Sequence, residues 1–207
     1  MADNIYWIYD EKNIDFPSEM KLLIVGQSGS GKTILARYLC NKYPDIFEII
    51  KNCTTRPKRA EDKDNFCYLS VKEFYEATES EKFFLARFGS DPLYGYKKRD
   101  YNQIVCAKKI PIFMFRFSGL QHLQNLLQNY FVIFLISDLE NSIIHSNDEV
   151  NQNLREESTN IKIEIRKAIS EFNVSSRKYA VVNNNYTNDF FDEIDKLDIV
   201  NLLRNDD

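Results

Sequence analysis

The octapeptide at residues 26–33, GQSGSGKT, constrains the fold of this chain more than any other feature of its sequence. It satisfies the pattern GxxxxGK followed by Ser or Thr. It lies between a short apolar run at residues 21–25 and an apolar pattern with helical spacing at residues 34–42. A strand, a glycine-rich turn and a helix in this order form a loop whose backbone N–H groups surround an anion. The sequence therefore predicts a phosphate-binding loop.

The residue types in this loop suit the chemistry of a nucleoside triphosphate. Glycines let the backbone amides turn inward without Cβ clashes, and the N-terminus of the following helix attracts negative charge. Lys32 is expected to place its ammonium group against the β- and γ-phosphates, and Thr33 to place its hydroxyl group on Mg²⁺. The predicted cofactors are ATP or GTP together with Mg²⁺, and Lys32 is also a candidate catalytic residue. The predicted nucleotide-binding residues are Gly26, Ser28, Gly29, Ser30, Gly31, Lys32 and Thr33, with Thr33 as the metal ligand.

Apolar patterns with the periods of strands and helices alternate along the rest of the chain. Strands are predicted at residues 21–25, 47–50, 66–70, 83–88, 110–115, 131–136 and 179–182. Helices are predicted at residues 34–42, 71–77 with Ser70 as the N-cap, 101–108, 120–128, 161–172 and 190–203. This alternation indicates an α/β fold with a parallel sheet and helices on both of its faces. Residues 1–19 form an N-terminal arm that is either a short strand or a segment packed on the core.

Composition excludes two classes of partner. The chain has 207 residues, which fits one domain, or one domain with an inserted lobe, and its net charge is -4. A mildly acidic chain lacks the basic surface that nucleic acid requires, so no nucleic-acid partner is expected. No apolar run approaches the roughly 20 residues of a membrane helix, and the polar N-terminal residues do not resemble a signal peptide. We therefore expect a cytoplasmic protein with no membrane partner.

Beyond the phosphate-binding loop, the chain resembles guanylate kinases over nearly its whole length after residue 20. The segment TTRPKRAE at residues 54–61 resembles the family pattern TTRxxRxxE, with Glu61 as the acidic residue. The pairs Tyr94-Gly95 and Ser118-Gly119 resemble a YG and a QG pair of the family. Residues 161–171 resemble the pattern IxxRLxxAxxE, and the motifs agree in order and spacing. The chain is therefore similar to this family along most of its sequence.

The resemblance implies a P-loop NTPase-type three-layer α/β fold with a central parallel sheet, a small acceptor-binding lobe and a lid segment. The core of the guanylate-kinase-like domain, residues 20–207, would comprise residues 20–50 and 101–207. The acceptor lobe would comprise about residues 51–100, and the lid about residues 137–160. In this family a donor triphosphate binds the loop and the acceptor lobe holds GMP.

Three residues of the acceptor lobe match family residues that bind the acceptor phosphate. Arg56 and Arg59 match arginines that hold this phosphate in the family. Arginine suits this role because its guanidinium fork matches the geometry of phosphate oxygens. Tyr94 matches a tyrosine that donates a hydrogen bond to the same group. Arg56 is therefore the second candidate catalytic residue, after Lys32.

The family positions that contact guanine hold other residues in this chain. Asn52, Leu85 and Tyr96 stand where the family has a serine, a glutamate, and a threonine or serine. Leu85 cannot accept the hydrogen bonds that a glutamate accepts from the N1 and N2 edge of guanine, so specificity for GMP is doubtful. The predicted substrate-binding residues are Asn52, Arg56, Arg59, Leu85, Tyr94 and Tyr96.

Several residues that stabilise charge during transfer in the family are also replaced. Met114 and Arg116 correspond to two aspartates on the third core strand, and Glu164 and His145 correspond to arginines of the lid. Phe66 replaces a second tyrosine that contacts the acceptor phosphate. These replacements indicate reduced or redirected phosphoryl transfer, because such groups normally neutralise the charge of the transferred phosphoryl group.

Three functions remain open from the sequence. The first is a divergent phosphotransferase that moves phosphate from ATP to a nucleoside monophosphate or a related small phosphate. The second is a pseudoenzyme that binds nucleotide and transfers little or nothing. The third is an interaction module that binds a protein partner in the acceptor lobe, and the presence of Lys32 disfavours it. We rank the phosphotransferase first.

Overall fold

The chain divides into two compact units in a computed structural model. Unit 1 comprises Met1–Glu19 and Cys40–Pro111, and unit 2 comprises Met20–Leu39 and Ile112–Asp207. The structure describes residues 6–9, 20–59, 62, 66–80, 82–88, 92–117, 129–137, 179–184 and 189–204.

The described residues form short elements. The strands are β1 (Tyr6–Tyr9), β2 (Lys21–Gly26), β3 (Phe47–Ile49), β4 (Asn52–Thr54), β5 (Phe66–Tyr68), β6 (Phe83–Phe88), β7 (Tyr94–Lys97), β8 (Ile110–Phe115), β9 (Tyr130–Ser137) and β10 (Tyr179–Asn184). The helices are α1 (Lys32–Lys42), α2 (Val71–Glu79), α3 (Lys98–Cys106), α4 (Asp189–Lys196) and α5 (Ile199–Arg204). Within these ranges no helix has the length and apolar character that crossing a bilayer requires.

Unit 2 contains the parallel sheet that the sequence predicts. Strands β10, β9, β2 and β8 are neighbours in that order, and each pair is parallel. Strand β2 lies between β9 and β8, and all six of its residues are buried. Its last residue, Gly26, pairs with Leu135 of β9, and the phosphate loop, residues 26–33, begins there. The loop therefore leaves the sheet at the carboxyl end of a central strand, where ligands bind in open parallel sheets.

The described helices of unit 2 agree with the predicted pattern except at one position. Helix α1 buries Leu35, Ala36 and Leu39, as its apolar spacing predicts. The single helix predicted at residues 190–203 is divided into α4 and α5. Asp198, which lies between them, has a φ angle of +43°, a left-handed conformation that a continuous helix does not contain. The predicted helices at residues 120–128 and 161–172, and the lid except Ser137, lie outside the described residues.

Unit 1 contains a second sheet, which the sequence did not predict. Its strand order is β1-β6-β7-β4-β5, and every pair is antiparallel except β4 with β5. One face packs on α2, whose Phe74 and Ala77 join a buried apolar cluster. Helix α2 begins at the predicted N-cap, where Ser70 and Glu73 form a reciprocal capping box. The predicted central parallel sheet is confirmed in unit 2, and the mostly antiparallel sheet of unit 1 is a second sheet beside that prediction.

The N-terminal arm supplies one strand of this second sheet. Residues of β1 pair with β6 in antiparallel register, with Tyr6 opposite Phe88 and Tyr9 opposite Leu85. Of the two alternatives left by the sequence, the short strand is therefore confirmed.

Candidate functional site

The phosphate loop has a backbone that two of its glycines make possible. Gly31 has a φ angle of +92°, and a Cβ atom at this position would overlap the side-chain amide of Asn184. At Gly26 a Cβ atom would lie 2.6 Å from the backbone oxygen of Leu135. A side chain at either position would force the loop or its neighbours to move. The two glycines therefore fix both the conformation of the loop and its close approach to the sheet.

Asn184 supports the phosphate loop from the end of β10. Its side-chain Nδ2 donates a hydrogen bond of 3.0 Å to the backbone oxygen of Ser30, and only 3% of the residue is exposed. Sequence reasoning did not identify Asn184. The signal that could have found it is a polar side chain at the carboxyl end of a core strand, where ligand sites lie in such sheets.

Two features of the phosphate loop suit an anion. The Oγ atom of Ser30 is buried and has no hydrogen-bond partner among the described residues. A buried polar atom of this kind requires an explanation such as a bound group. The first turn of α1 contains no acidic residue, so no side chain there neutralises the positive end of the helix dipole. The loop therefore keeps the properties of a phosphate cradle.

Lys32 lies across this cradle as the first residue of α1. Its Nζ atom donates hydrogen bonds to the backbone oxygens of Gly26, at 2.9 Å, and of Gln27. In the part of the chain that the structure describes, no carboxylate forms an ion pair with it. Burial, with a smaller contribution from the positive charge of Arg116, lowers the pKa of Lys32 to about 7. An arriving phosphate would therefore replace weak carbonyl acceptors and would raise the pKa of this lysine.

The surroundings of Thr33 do not fit the predicted Mg²⁺ ion. Its hydroxyl group donates a hydrogen bond to the Sδ atom of Met114, at a distance of 3.8 Å. Mg²⁺ prefers oxygen ligands, and a thioether is a soft ligand without charge. Arg116, two residues after Met114, has a positive charge that acts on Lys32. Among the residues with described positions, no group of three or more His, Cys, Asp or Glu side chains could hold a metal ion.

In unit 1, the predicted phosphate ligand Arg56 is fixed by a carboxylate. Its guanidinium group donates hydrogen bonds of 2.7 Å to each oxygen of Asp62, and the two side chains are only 11% and 7% exposed. The guanidinium also lies over the ring of Phe66, 4.5 Å from the ring centroid. Hydrogen bonding to Asp62 raises the pKa of Arg56, and the reciprocal bonds hold the pKa of Asp62 well below its usual range. Arg56 is therefore held in one orientation.

Asp62 is the centre of this cluster, and sequence reasoning missed it. It also accepts hydrogen bonds from the hydroxyl group of Tyr68 and, at 2.8 Å, from the backbone N–H of Arg59. Glu61, which is the acidic residue predicted from the family pattern, lies outside the described residues. A count of RxxE from Arg59 reaches residue 62, so the spacing of the pattern could have identified Asp62.

The structure brings together Asn52, Tyr96 and Leu85, which are three of the predicted substrate-binding residues. Tyr96 of β7 is in register with Asn52 of β4 on one side and with Leu85 of β6 on the other. We call this set the three-strand row. Asn52 Nδ2 donates a hydrogen bond of 3.2 Å to the hydroxyl oxygen of Tyr96, and Asn52 Oδ1 is buried without a partner among the described residues. Leu85 is fully buried, so the row combines one unpaired acceptor with an apolar position.

Tyr94 lies two residues before Tyr96 on the same strand, so both side chains point to the same face of the sheet. Its register partners are Thr54 and Arg87, and the guanidinium of Arg87 lies 5.9 Å from the centroid of its ring. Arg87 was not predicted from the sequence. Of the remaining predicted positions, Ser118, Gly119, His145 and Glu164 lie outside the described residues.

Comparison with known proteins agrees with the resemblance seen in the motifs. A family model described as guanylate kinase matches residues 18–197. A guanylate kinase of Clostridium perfringens (strain 13 / Type A) is 26% identical over 170 residues, which cover 79% of this chain and 76% of that protein. A guanylate kinase of Helicobacter pylori (strain ATCC 700392 / 26695) is 27% identical over 115 residues, which cover 55% of this chain and 56% of that protein.

The fold also matches a solved structure. The crystal structure of guanylate kinase from Anaplasma phagocytophilum has a TM-score of 0.57 and 16% sequence identity, and the match covers 90% of this chain and 85% of the other. At this level of identity the match concerns the fold alone. It agrees with the α/β architecture and the central parallel sheet that the sequence predicts.

Proposed function

Because the chain belongs to the guanylate kinase family, whose members are nucleotide-binding phosphotransferases, we propose that it transfers phosphate from ATP to a small phosphate acceptor other than GMP. GTP is the alternative donor. In the reaction, an oxygen of the acceptor phosphate attacks the γ-phosphorus, the bond to the bridging oxygen breaks, and the nucleoside diphosphate leaves. The acceptor is a nucleoside monophosphate or a related small phosphate.

The phosphate loop supports the donor part of the proposal. The backbone of Gly26 and Gly31 has no space for side chains, and the buried Ser30 Oγ has no protein partner in the described residues. The ammonium group of Lys32 rests on two carbonyl oxygens, which a phosphate can replace. A nucleoside triphosphate supplies the multiple negative charges that this arrangement lacks.

The cluster around Asp62 supports the acceptor part. Among the described residues, Arg56 donates three of its five N–H groups, two to Asp62 and one to the backbone oxygen of Pro57. The other two N–H groups have no partner in that part of the chain and can bind an acceptor phosphate, while Asp62 keeps the guanidinium plane fixed. We propose that Arg56 and Arg59 hold the acceptor phosphate together with the hydroxyl group of Tyr94.

The observation that carries the proposed specificity is the burial of Leu85 in the three-strand row. Guanine presents two N–H donors on one edge, and a site that selects guanine must accept both hydrogen bonds. Leu85 accepts none, and it is completely buried. The unpaired Oδ1 atom of Asn52 is a single acceptor. The row therefore suits an acceptor with fewer donors than guanine.

A turnover panel tests this proposal. The wild-type chain is incubated with ATP or GTP and with each common nucleoside monophosphate, and formation of the diphosphates is measured. We expect turnover on an acceptor other than GMP, and a rate on GMP that is about a thousandfold or more below the usual kinase rate of about 10–100 s⁻¹. Rapid phosphorylation of GMP would contradict the proposed role of Leu85.

A second candidate is favoured by the contact between Thr33 and Met114. Met114 stands where the family has an aspartate, so a hard metal ligand is missing beside Thr33. Such a site suits a protein that binds nucleotide without transferring phosphate. The same panel separates the two candidates. Binding of ATP without turnover on any acceptor would select the nucleotide-binding pseudoenzyme.

A further inference from the structure

We propose that the phosphate loop binds nucleotide phosphates without Mg²⁺, and that the guanidinium group of Arg116 supplies positive charge in place of a metal ion. The inference rests on the proposed function in one respect, namely that the phosphate loop is the nucleotide site. It concerns which ionic form of the nucleotide that site accepts.

The first support is the partner of Thr33. Its hydroxyl proton is directed at the Sδ atom of Met114, which parallel pairing of β8 with β2 places opposite Ile24. The pairing fixes Met114 on the strand next to the one that leads into the phosphate loop. A metal ion bound to the Thr33 hydroxyl would therefore face a neutral sulfur atom, whereas Mg²⁺ needs several oxygen ligands. The side chain at residue 114 provides none.

The second support is the position of Arg116. It is exposed directly after Phe115, which parallel pairing places opposite Val25, so Arg116 follows β8 at the edge of the sheet where the phosphate loop begins at Gly26. The guanidinium group of Arg116 and the ammonium group of Lys32 at the same edge suit an anion with several charges, such as a polyphosphate. A divalent metal ion would add further positive charge to the same region.

The third support is the lack of compensating acidic groups in the described ranges. The first turn of α1 has no acidic side chain, and no cluster of metal-ligating side chains occurs in the parts of the chain with described positions. Lys32 and Arg116 bring positive charge to the edge of the sheet where the phosphate loop begins. Metal-free ATP carries more negative charge than its magnesium complex, so the phosphate loop should prefer the metal-free form.

Calorimetric titration of the full chain tests the inference. ATP, and separately inorganic tripolyphosphate, are titrated in the presence of EDTA and again with excess MgCl₂. We expect binding in EDTA that is at least as tight as binding with MgCl₂. A Kd in EDTA that is more than about tenfold weaker than in MgCl₂ would overturn the inference.

The same titrations separate this inference from the proposed function. Binding that requires Mg²⁺ contradicts only the metal-free inference and leaves the phosphate loop as the nucleotide site. Absence of ATP binding under both conditions contradicts the proposed function and the inference together.

Variants identify the residue responsible. Arg116→Gln should weaken binding of ATP in EDTA by about tenfold, because one charge-assisted contact is lost. Arg99→Gln, which removes an exposed arginine of α3, is the matched control and should leave the Kd unchanged. An equal Kd for Arg116→Gln and the control would overturn the role of Arg116.

The double variant Met114→Asp with Arg116→Asp introduces two carboxylates, one of them at the position that contacts Thr33. It should bind ATP more weakly in EDTA than the wild type and regain affinity when MgCl₂ is added. Met114→Leu, which removes the sulfur atom but adds no charge, should keep the wild-type response to MgCl₂. Circular dichroism and thermal unfolding establish that each variant is folded before it is titrated. A folded double variant that does not respond to MgCl₂ would count against the inference.

Discussion

The guanidinium group of Arg56 and the carboxylate of Asp62 form a two-bonded ion pair, with both N···O distances at 2.7 Å. The pair is largely buried within unit 1. An arginine that is already oriented loses little side-chain entropy when it binds a phosphate. Asp62 therefore acts on the acceptor through Arg56, as a positioning residue.

Replacement of the carboxylate tests this role. Asp62→Asn keeps the size of the side chain but leaves the largely buried charge of Arg56 without a carboxylate partner. We expect the free energy of unfolding, measured with urea, to fall by about 1–3 kcal/mol. The matched control is Glu76→Gln, which breaks an exposed pair with Lys72 at 3.8 Å. It should cost less than about 0.5 kcal/mol, and equal losses in the two variants would refute the structural importance of the Arg56–Asp62 pair.

The phosphate loop was predictable from sequence because all its determinants lie within eight consecutive residues. Its support by Asn184 was not predictable, because the hydrogen-bonded residues are 154 positions apart and only the fold brings them together. The sheet of unit 1 was missed for a different reason. Its strands β4 and β7 have three and four residues, which is too short for an alternating pattern to be visible. The break between α4 and α5 at Asp198 was also missed, because an aspartate in the sequence does not by itself predict a left-handed backbone conformation.

Asn184 provides a test of how the phosphate loop is held. Asn184→Ala removes the hydrogen bond to Ser30 and leaves a buried carbonyl oxygen without a partner. We expect a loss of about 1–3 kcal/mol in stability and, because the loop is less fixed, weaker binding of ATP. Asn183→Ala, at the neighbouring exposed position of β10, is the control. Thermal unfolding and calorimetry should show lower stability and weaker ATP binding for Asn184→Ala, and almost no change in either for Asn183→Ala.

The lowered pKa of Lys32 predicts how nucleotide binding depends on pH. In the free chain this lysine loses its proton as the pH rises through about 7, whereas a bound phosphate stabilises the charged form. The bound state therefore holds more protons than the free state above this pH, and affinity for ATP should fall as the pH rises from 7 to 9. Calorimetry in buffers of different ionisation enthalpy should detect uptake of a proton on binding at pH 8. Affinity that rises over this range would show that Lys32 does not carry the phosphate.

The exclusion of guanine can be tested by adding the missing acceptor. Leu85→Glu places a carboxylate in the three-strand row beside Tyr96, where it can accept hydrogen bonds from the guanine edge. We expect GMP to bind at least about tenfold more tightly than to the wild type, as measured by calorimetry. Leu85→Met keeps the position apolar and should leave GMP affinity unchanged. If folded Leu85→Glu gained no affinity for GMP, the row would not be the base-recognition site.

The central claim is that residues 26–33 hold a nucleoside triphosphate, and calorimetric titration of ATP into Lys32→Ala tests it most directly. Lys42→Ala, an exposed lysine in the last turn of the same helix, is the control. We predict that the wild type and the control bind ATP equally, and that Lys32→Ala weakens binding by about a hundredfold or more. Unchanged ATP affinity in folded Lys32→Ala would contradict the assignment of the phosphate loop.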